Sequence, residues 1–259
     1  MTRRAVTYAS YLGLEQLLSA QKPLSSGDDG RPEHDELLFI VIHQVYELWF
    51  KQLRHELTAV QTALETGDTD RALHLLNRVL KILKTLVAQI DVLETMTPLQ
   101  FLSFRDRLDS ASGFQSAGFR VVEAILGIRD PASARAQPGG SDARVDVETA
   151  QAAPSLWHSF LAYLRDRGRS IPADAGVPDV RVQAALIAVY RGDPDAALVA
   201  ERLVDLDEGV QEWRYRHVKM VERTIGTKRG TGGSSGVEYL RATLFQPAFP
   251  DLWEIRAQL

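Results

Sequence analysis

Two histidines lie in apolar stripes where helical spacing predicts hydrophobic side chains. His43 follows Phe39 by one turn and is within reach of Glu47. His217 shares a helical face with Leu206, Val210, Trp213, Met220 and Thr224. A polar ring on such a face needs a hydrogen-bonding partner. Each histidine is therefore either a hydrogen-bonded core residue or part of a cofactor or substrate site.

His43 and His217 are far apart in sequence, so their imidazoles can flank a single ligand. A haem requires a neutral imidazole on one side of its iron and a tuned pocket on the other. Periodicity does not distinguish the two sides. A non-haem metal site is a further alternative, although its ligand types are common on solvated helices. The candidates for such a site are His34, Asp35, Glu36, His43 and Glu47.

Arg105 is the candidate for binding a carboxylate. It lies one turn after Phe101 and one turn before Asp109. Arginine in this position is ordinarily solvated or salt-bridged, but its planar guanidinium also suits bidentate pairing with a carboxylate. Ser112, within the segment SGFQS, suits either a helix N-cap or a pocket wall, and the composition favours the cap.

Residues 226–236 (GTKRGTGGSSG) form the most unusual stretch, rich in glycine and hydroxyl residues. Such a segment can present backbone N–H groups to an anion, or it can be a flexible surface loop. It lacks the GxxxxGK[ST] order of a nucleotide-binding P-loop and follows a helical pattern, which argues against ATP or GTP. A propionate or an amino-acid carboxylate fits better.

Helical periodicity organises the chain that carries these residues. Apolar residues recur at three- and four-residue steps over 34–66 and again from Leu73 to Ile90, which predicts two long helices packed antiparallel. Shorter helices are predicted at 99–108, 115–126, 156–167, 180–190 and 195–224. Residues 128–153 have no large apolar face, so we expect a variable surface loop there. The sequence predicts an all-α bundle in a single domain over 1–259.

Composition excludes several classes of site. The chain has 259 residues, 45% of them hydrophobic, a formal charge of -4 and no cysteine. Without cysteine there is no disulfide, thiolate catalysis or Cys-based metal site. The charge provides no broad basic field for nucleic acid. Neither a signal peptide nor a membrane span is apparent, so a cytoplasmic enzyme without membrane or nucleic-acid partners is expected.

Three segments resemble the tryptophan 2,3-dioxygenase family: HDELLFIVIHQVYELWFKQLRHEL, LETMTPLQFLSFRDRLDSASGFQS and HVKMVERTIGTKRGTGGSSGVEYLR. The resemblance runs from about Tyr8 to the C-terminal segment, and residues 128–153 are the least similar part. It implies a haem pocket between the helices and cleavage of the indole C2–C3 bond of L-tryptophan by dioxygen, giving N-formyl-L-kynurenine, the first step of the kynurenine route.

The resemblance also implies roles for the cofactor residues. His217 is the axial ligand of the iron of haem b, bound one per subunit. Trp213 shapes the same side of the haem, and Gly232 of the glycine-rich loop contacts it. His43 is the catalytic-site histidine that faces the indole N–H, either as a base or as a hydrogen-bond partner alone, and Phe39 is a wall for the indole ring.

For the rest of the substrate, Arg105 pairs with the carboxylate, Thr231 contacts the amino-acid head group, and Ser112 lines the pocket. Phe101 stands where some bacterial members have tyrosine, so a phenolic contact to the carboxylate is missing and Arg105 carries more of that binding. Ala117 and Gly118 replace bulkier family residues, which changes the expected pocket shape.

By the same resemblance, segment 1–30 brings Tyr8 and Tyr11 into the active site of a neighbouring subunit, and the assembly is a homotetramer built as a dimer of dimers. Two alternatives remain open at this point. One is a related haem monooxygenase acting on a substituted tryptophan or indole, and the other is a non-catalytic haem or ligand sensor.

Overall fold

A computed structural model describes residues 5–27, 29–228, 230 and 236–259. Over these residues the backbone forms helices and connecting turns without a β-strand, and one hydrophobic core extends from Ile42 to Ile255. The predicted all-α, single-domain fold is confirmed. None of the helices in these ranges is both long and apolar enough to cross a membrane. Thr231 and Gly232 lie outside the described residues.

The helices are numbered along the chain. The long ones are α3 (His34–Glu65), α4 (Thr69–Leu93) and α11 (Pro194–Ile225). The shorter ones are α1 (Tyr8–Leu12), α2 (Leu14–Leu18), α5 (Pro98–Arg105), α6 (Ala117–Leu126), α7 (Pro131–Arg135), α8 (Asp142–Ala152), α9 (Leu156–Asp166), α10 (Val180–Gly192), α12 (Val237–Ala242) and α13 (Pro250–Glu254). Single 3₁₀ turns cover Asp106–Leu108, Gly113–Gln115 and Ile255–Gln258.

The long helices α3 and α4 form the antiparallel pair that their apolar stripes predict. Between them Gly67 has a φ of +72°, a left-handed conformation that glycine adopts without steric cost. The Asp68 side chain accepts a hydrogen bond from the Arg71 backbone N at 3.1 Å and caps α4. The two stripes meet through buried residues of both helices, among them Leu53, Leu57, Val60, Leu76, Val79 and Leu86.

The third long helix, α11, packs along the other side of α4. It starts at Pro194, where the absence of an N–H is harmless, and the Asp193 carboxylate caps it by accepting from the Ala196 N at 3.2 Å. Arg167 and Arg169 also bind this carboxylate. The guanidinium of Arg167 in particular holds the pKa of Asp193 well below its usual range.

The prediction of a surface loop at residues 128–153 is wrong. This stretch forms α7 and α8, each capped by a side chain: Asp130 accepts from the Ala132 N at 2.8 Å, and Ser141 accepts from the Arg144 N at 3.2 Å. The α8 helix packs on α6 through Val147, which is fully buried. One buried valine among alanines and polar residues gives too weak an apolar stripe to be recognised from periodicity.

A buried carboxylate of α11 helps to fasten the C-terminal segment. Asp207 accepts hydrogen bonds from the backbone N of Ala248 at 3.0 Å and of Phe249 at 3.1 Å, and from Trp253 Nε1 at 2.9 Å. The Asp207 side chain and the two backbone donors are buried, whereas Trp253 is 38% exposed. The contacts satisfy groups that would otherwise be buried without partners.

We expect Asp207→Ala to lower the free energy of unfolding by at least about 2 kcal/mol, because the two buried backbone donors lose their acceptor and each costs about 1 to 3 kcal/mol. Urea denaturation followed by circular dichroism measures this change. Glu208→Ala, at the neighbouring exposed position, is the matched control and should remain within about 0.5 kcal/mol of the wild type. Equal stability of the two variants would contradict the anchoring role of Asp207.

Candidate active site

A cavity of about 520 Å³ lies between α3, α4, α5, α6, α11 and α12. Its walls are mostly apolar, with a few polar side chains, which is typical of a ligand or cofactor pocket. Seven residues singled out from the sequence line it together: Phe39, His43, Phe101, Arg105, Ser112, Trp213 and His217. The fold therefore brings together residues from four separate segments of the chain.

His43 faces the cavity from α3 with a defined tautomer. Its Nδ1 lies 2.7 Å from the backbone carbonyl oxygen of Phe39. A carbonyl only accepts, so Nδ1 carries the hydrogen and Nε2 of the neutral ring is left as an acceptor. Burial lowers the pKa of His43, with the Phe39 carbonyl opposing the shift. At neutral pH the residue is therefore a neutral ring with one free lone pair.

His217 reaches the same cavity from α11. Its ring stacks on Trp213 one turn earlier, with centroids 5.3 Å apart and planes 8° from parallel. Burial, with smaller contributions from His43 and Arg120, lowers the pKa of His217 to about 4. The ring is therefore neutral at physiological pH. Neutrality is the state in which an imidazole can bind a metal.

Aromatic rings form two groups in the cavity wall. Beside His43, the Phe39 ring lies 4.1 Å from the imidazole and 5.7 Å from Phe101, centroid to centroid. Beside His217, Trp213 packs against Phe119 at 4.8 Å and edge-on against Phe50 at 6.2 Å. The two histidines thus belong to two separate aromatic walls.

Arg105 and Ser112 also line the cavity. Arg105 stands in the last turn of α5, a helix that begins at Pro98 with a Thr97 N-cap. Ser112 Oγ accepts from the Phe114 backbone N at 3.3 Å and caps the 3₁₀ turn Gly113–Gln115. The N-cap prediction for Ser112 is confirmed. The alternative of a pocket wall is also met, since the same residue borders the cavity.

Comparison with known proteins decides the family. The family model for tryptophan 2,3-dioxygenase matches residues 1–138 and 163–259. The chain belongs to the tryptophan 2,3-dioxygenase family. It is 59% identical to the tryptophan 2,3-dioxygenase of Anaeromyxobacter sp. (strain K) over 98% of this chain and 97% of the relative. The enzyme of that name from Herpetosiphon aurantiacus is 55% identical over 99% of both chains, and that from Caulobacter vibrioides 43% over 98% of both.

The match to the tryptophan 2,3-dioxygenase family has one gap, residues 139–162. This gap overlaps the 128–153 stretch that the sequence marked as least similar, and it contains all of α8. The helix nevertheless belongs to the core packing, because Val147 is buried and Arg54 of α3 forms an ion pair with Asp146 at 3.1 Å. The helix outside the family match therefore contacts α3 and α6, two of the helices that line the cavity.

Three charged residues of this tryptophan 2,3-dioxygenase family member were missed by sequence reasoning. Glu123 lies between two guanidinium groups, 2.7 Å from Arg120 Nη1 and 2.7 Å from Arg214 Nη2. All three line the cavity and their side chains are nearly buried. Two positive charges and one negative leave an excess of one positive charge in the wall. The available signal was a pair of charges three residues apart within the apolar segment FRVVEAIL.

Arg214 also holds α12 over the cavity. Its Nη1 donates to the backbone oxygens of Thr243 and Gln246, both at 3.3 Å. From α12, the Tyr239 ring packs edge-on against Phe114 at 5.4 Å. These contacts position the segment that follows the glycine-rich loop.

Other predicted residues are placed differently. Tyr8 and Tyr11 are 78% and 79% exposed on α1 and are not part of the cavity wall described above. The non-haem metal alternative has no ligand set in the described ranges, where no group of three His, Asp or Glu is placed to hold an ion. Glu36, one of its candidates, accepts instead from the backbone N of Leu24 and Ser25.

The lowered pKa of His217 predicts acid sensitivity of the haem-free protein. Unfolded histidine titrates near 6.5 and folded His217 near 4, so the unfolded state binds more protons between these values. Stability contributed by the neutral ring is complete above pH 6.5 and falls as the pH drops towards 4. When the pH is lowered from 7.5 to 5, we expect the free energy of unfolding of His217→Gln to fall by about 1 to 2 kcal/mol less than that of the wild type. Urea titrations at both pH values test this, with exposed His74→Gln as the control; equal slopes for wild type and His217→Gln would refute it.

Proposed function

We propose that this chain uses haem b, one per subunit, to cleave the indole C2–C3 bond of L-tryptophan with dioxygen, giving N-formyl-L-kynurenine, the first step of the kynurenine route. The observation that carries the proposal is the pairing of two neutral imidazoles on separate aromatic walls of one cavity, in a chain that belongs to the tryptophan 2,3-dioxygenase family. The relatives named above all bear the dioxygenase name, so the monooxygenase alternative gains no support from them.

The residues on the His217 side fit a haem. His217 is neutral and half-buried, and it would bind the iron, with Trp213 stacked beside it. The excess positive charge of Arg120 and Arg214 over Glu123 suits the propionate carboxylates. We assign Gly232 to the same cofactor on the family resemblance alone. When bound, the haem supplies the iron chemistry that inserts both atoms of dioxygen.

The residues on the His43 side fit the substrate. The free Nε2 of His43 can accept the indole N–H, and Phe39 offers a flat wall for the indole ring. We assign Arg105 to the substrate carboxylate, with Ser112 and Phe101 as pocket wall. Thr231 lies outside the described residues, so its assignment to the amino-acid head group rests on the family resemblance alone. Phe101 has no hydroxyl, so Arg105 is the principal carboxylate ligand.

In this scheme the protein groups orient the reactants. Arg105 at the carboxylate and His43 at the indole N–H fix two ends of a rigid molecule, which sets the position of the C2–C3 bond and accounts for much of the advantage over reaction in water. The lowered pKa makes His43 a weak base, which favours a hydrogen-bonding role over removal of the indole proton. The apolar walls exclude water.

We further propose that the site is completed by a second copy of the chain. Tyr8 and Tyr11 project from α1 and are among several exposed apolar residues of the N-terminal segment, which include Val6, Leu18 and Leu24. Burying such a segment against a neighbouring subunit removes apolar surface from water. We place both tyrosines at the neighbour's active site within a homotetramer, a dimer of dimers, in the cytoplasm.

The central experiment supplies haem to the protein, records the anaerobic spectrum, and then adds dioxygen and L-tryptophan while following product mass. A haem spectrum and a product heavier by two oxygen atoms are expected. A gain of one oxygen atom would select the monooxygenase, and haem binding without oxygen consumption would select a sensor. His217→Ala should lose haem or hold it weakly, whereas His74→Ala should not; unchanged haem content in His217→Ala would refute the assignment of His217 to the iron.

We expect Arg105→Ala to weaken L-tryptophan binding by about 2 to 5 kcal/mol, the cost of leaving a buried charge unpaired. Tryptamine, which has the indole and amine but no carboxylate, is the matched control ligand and should bind wild type and variant with similar affinity. Titrations of the haem-loaded protein without oxygen provide both constants. An unaltered tryptophan affinity would remove Arg105 from the substrate site.

A further inference from the structure

Glu47 lies on α3 one turn after His43, yet its carboxylate is bound by another helix. Glu47 Oε1 accepts a hydrogen bond from Ser116 Oγ at 2.5 Å. Glu47 Oε2 occupies space next to Gly118 that a larger residue would need. A Cβ atom at position 118 would lie 2.5 Å from Glu47 Oε2. Ser116 is the N-cap of α6 and accepts from the Phe119 N at 3.2 Å. The carboxylate therefore sits in a seat formed by Ser116 and Gly118.

This seat is electrostatically and sterically suited to a carboxylate. The first turn of a helix presents unpaired N–H groups and the positive end of the helix dipole, which stabilise a nearby anion. Gly118 supplies the space, since its missing side chain is what lets the carboxylate approach.

Without the seat, Glu47 would meet His43. Side chains four residues apart on a helix lie on one face, and both lean towards the helix N-terminus. His43 Nδ1 is already bonded to the Phe39 carbonyl, so Nε2 is the nitrogen left for a carboxylate. A carboxylate there favours the protonated imidazolium, which has no lone pair to accept the indole N–H.

The other carboxylates that line the cavity are already engaged. Glu123 binds Arg120 and Arg214, and Asp130 caps α7 through the Ala132 N. The remaining charged or titratable groups of the cavity wall are cationic or neutral: Arg105, Arg120, Arg129, Arg214, His217, Tyr46 and Tyr239. The placement of the Glu47 carboxylate therefore decides whether an acidic group lies beside His43.

We propose that Ser116 and Gly118 are positioning residues that hold the Glu47 carboxylate away from His43, so that His43 Nε2 stays available to accept the indole N–H of the substrate. The inference rests on the proposed role of His43. It gives a function to a serine and a glycine that do not themselves touch the substrate in this scheme.

Two variants release the carboxylate by different means. Ser116→Ala removes its hydrogen-bond donor, and Gly118→Ala places a methyl group in its seat while leaving the cap intact. In each, we expect the Kd of haem-loaded protein for L-tryptophan, titrated without oxygen, to rise about threefold to tenfold, the loss of one substrate hydrogen bond. Ser116→Thr, which keeps the hydroxyl, should bind tryptophan like the wild type.

Rescue separates this role from a merely structural one. Adding Glu47→Met to Ser116→Ala removes the carboxylate while keeping the length of the side chain, and should restore most of the tryptophan affinity. A weakened α6 would not be repaired by that change. Ser141→Ala, which removes the N-cap of α8 outside the cavity, controls for loss of a cap and should leave the affinity unchanged.

The outcomes distinguish the inference from the function on which it rests. Wild-type affinity in both Ser116→Ala and Gly118→Ala would overturn the inference, as would weakened binding that Glu47→Met does not rescue. His43→Ala tests the underlying role: if it leaves the tryptophan Kd unchanged, the assignment of His43 fails. If His43→Ala weakens binding and the two seat variants do not, the inference alone fails.

Discussion

The packing of α4 between α3 and α11 is the constraint on which the site depends. Both long helices are held along α4 by continuous apolar contact, and the faces left over border a shared cavity. Ion pairs reinforce the α4–α11 side, where Arg216 binds Asp91 at 2.6 Å and Glu94 at 3.2 Å. His217 follows Arg216 directly, so the same contacts that fasten α11 also fix the direction of the imidazole.

Burial then defines the chemistry of each histidine. Each ring packs against one aromatic side chain and has its pKa lowered by desolvation, but the contacts that orient the two rings differ. His43 is fixed by the Phe39 carbonyl as an acceptor at Nε2, whereas His217 is fixed by stacking on Trp213. One fold thus produces two neutral imidazoles, one suited to a donor on the substrate and one to a metal.

Charged side chains in the cavity wall form a linked set of ion pairs. Arg120, Glu123 and Arg214 satisfy one another across α6 and α11, and Arg214 extends the network to α12. A buried charge without a partner is costly, so these residues are held in a linked set. Glu47 is exposed, but its carboxylate is also bonded to a protein group, the Ser116 hydroxyl. The three acidic side chains of the cavity wall, Glu47, Glu123 and Asp130, are therefore all bonded to other parts of the protein.

The sequence by itself determined the long helices, their antiparallel pairing and the two anomalous histidines, because these depend on local periodicity and on single residues that violate it. It also determined the N-cap of Ser112. It missed α7 and α8, whose helical signal is capping and propensity with little apolar stripe.

Only the tertiary structure decided which polar groups meet. The sequence placed Glu47 within reach of His43, but the structure gives that carboxylate to Ser116, 69 positions away, and the His43 hydrogen to a backbone carbonyl. The partners of Arg120 and Arg214 were likewise invisible in sequence. Such pairings depend on how helices that are distant in the chain pack together. A difference of a few tenths of an ångström decides whether a hydrogen bond forms, and residue spacing along one helix does not specify distances to another helix.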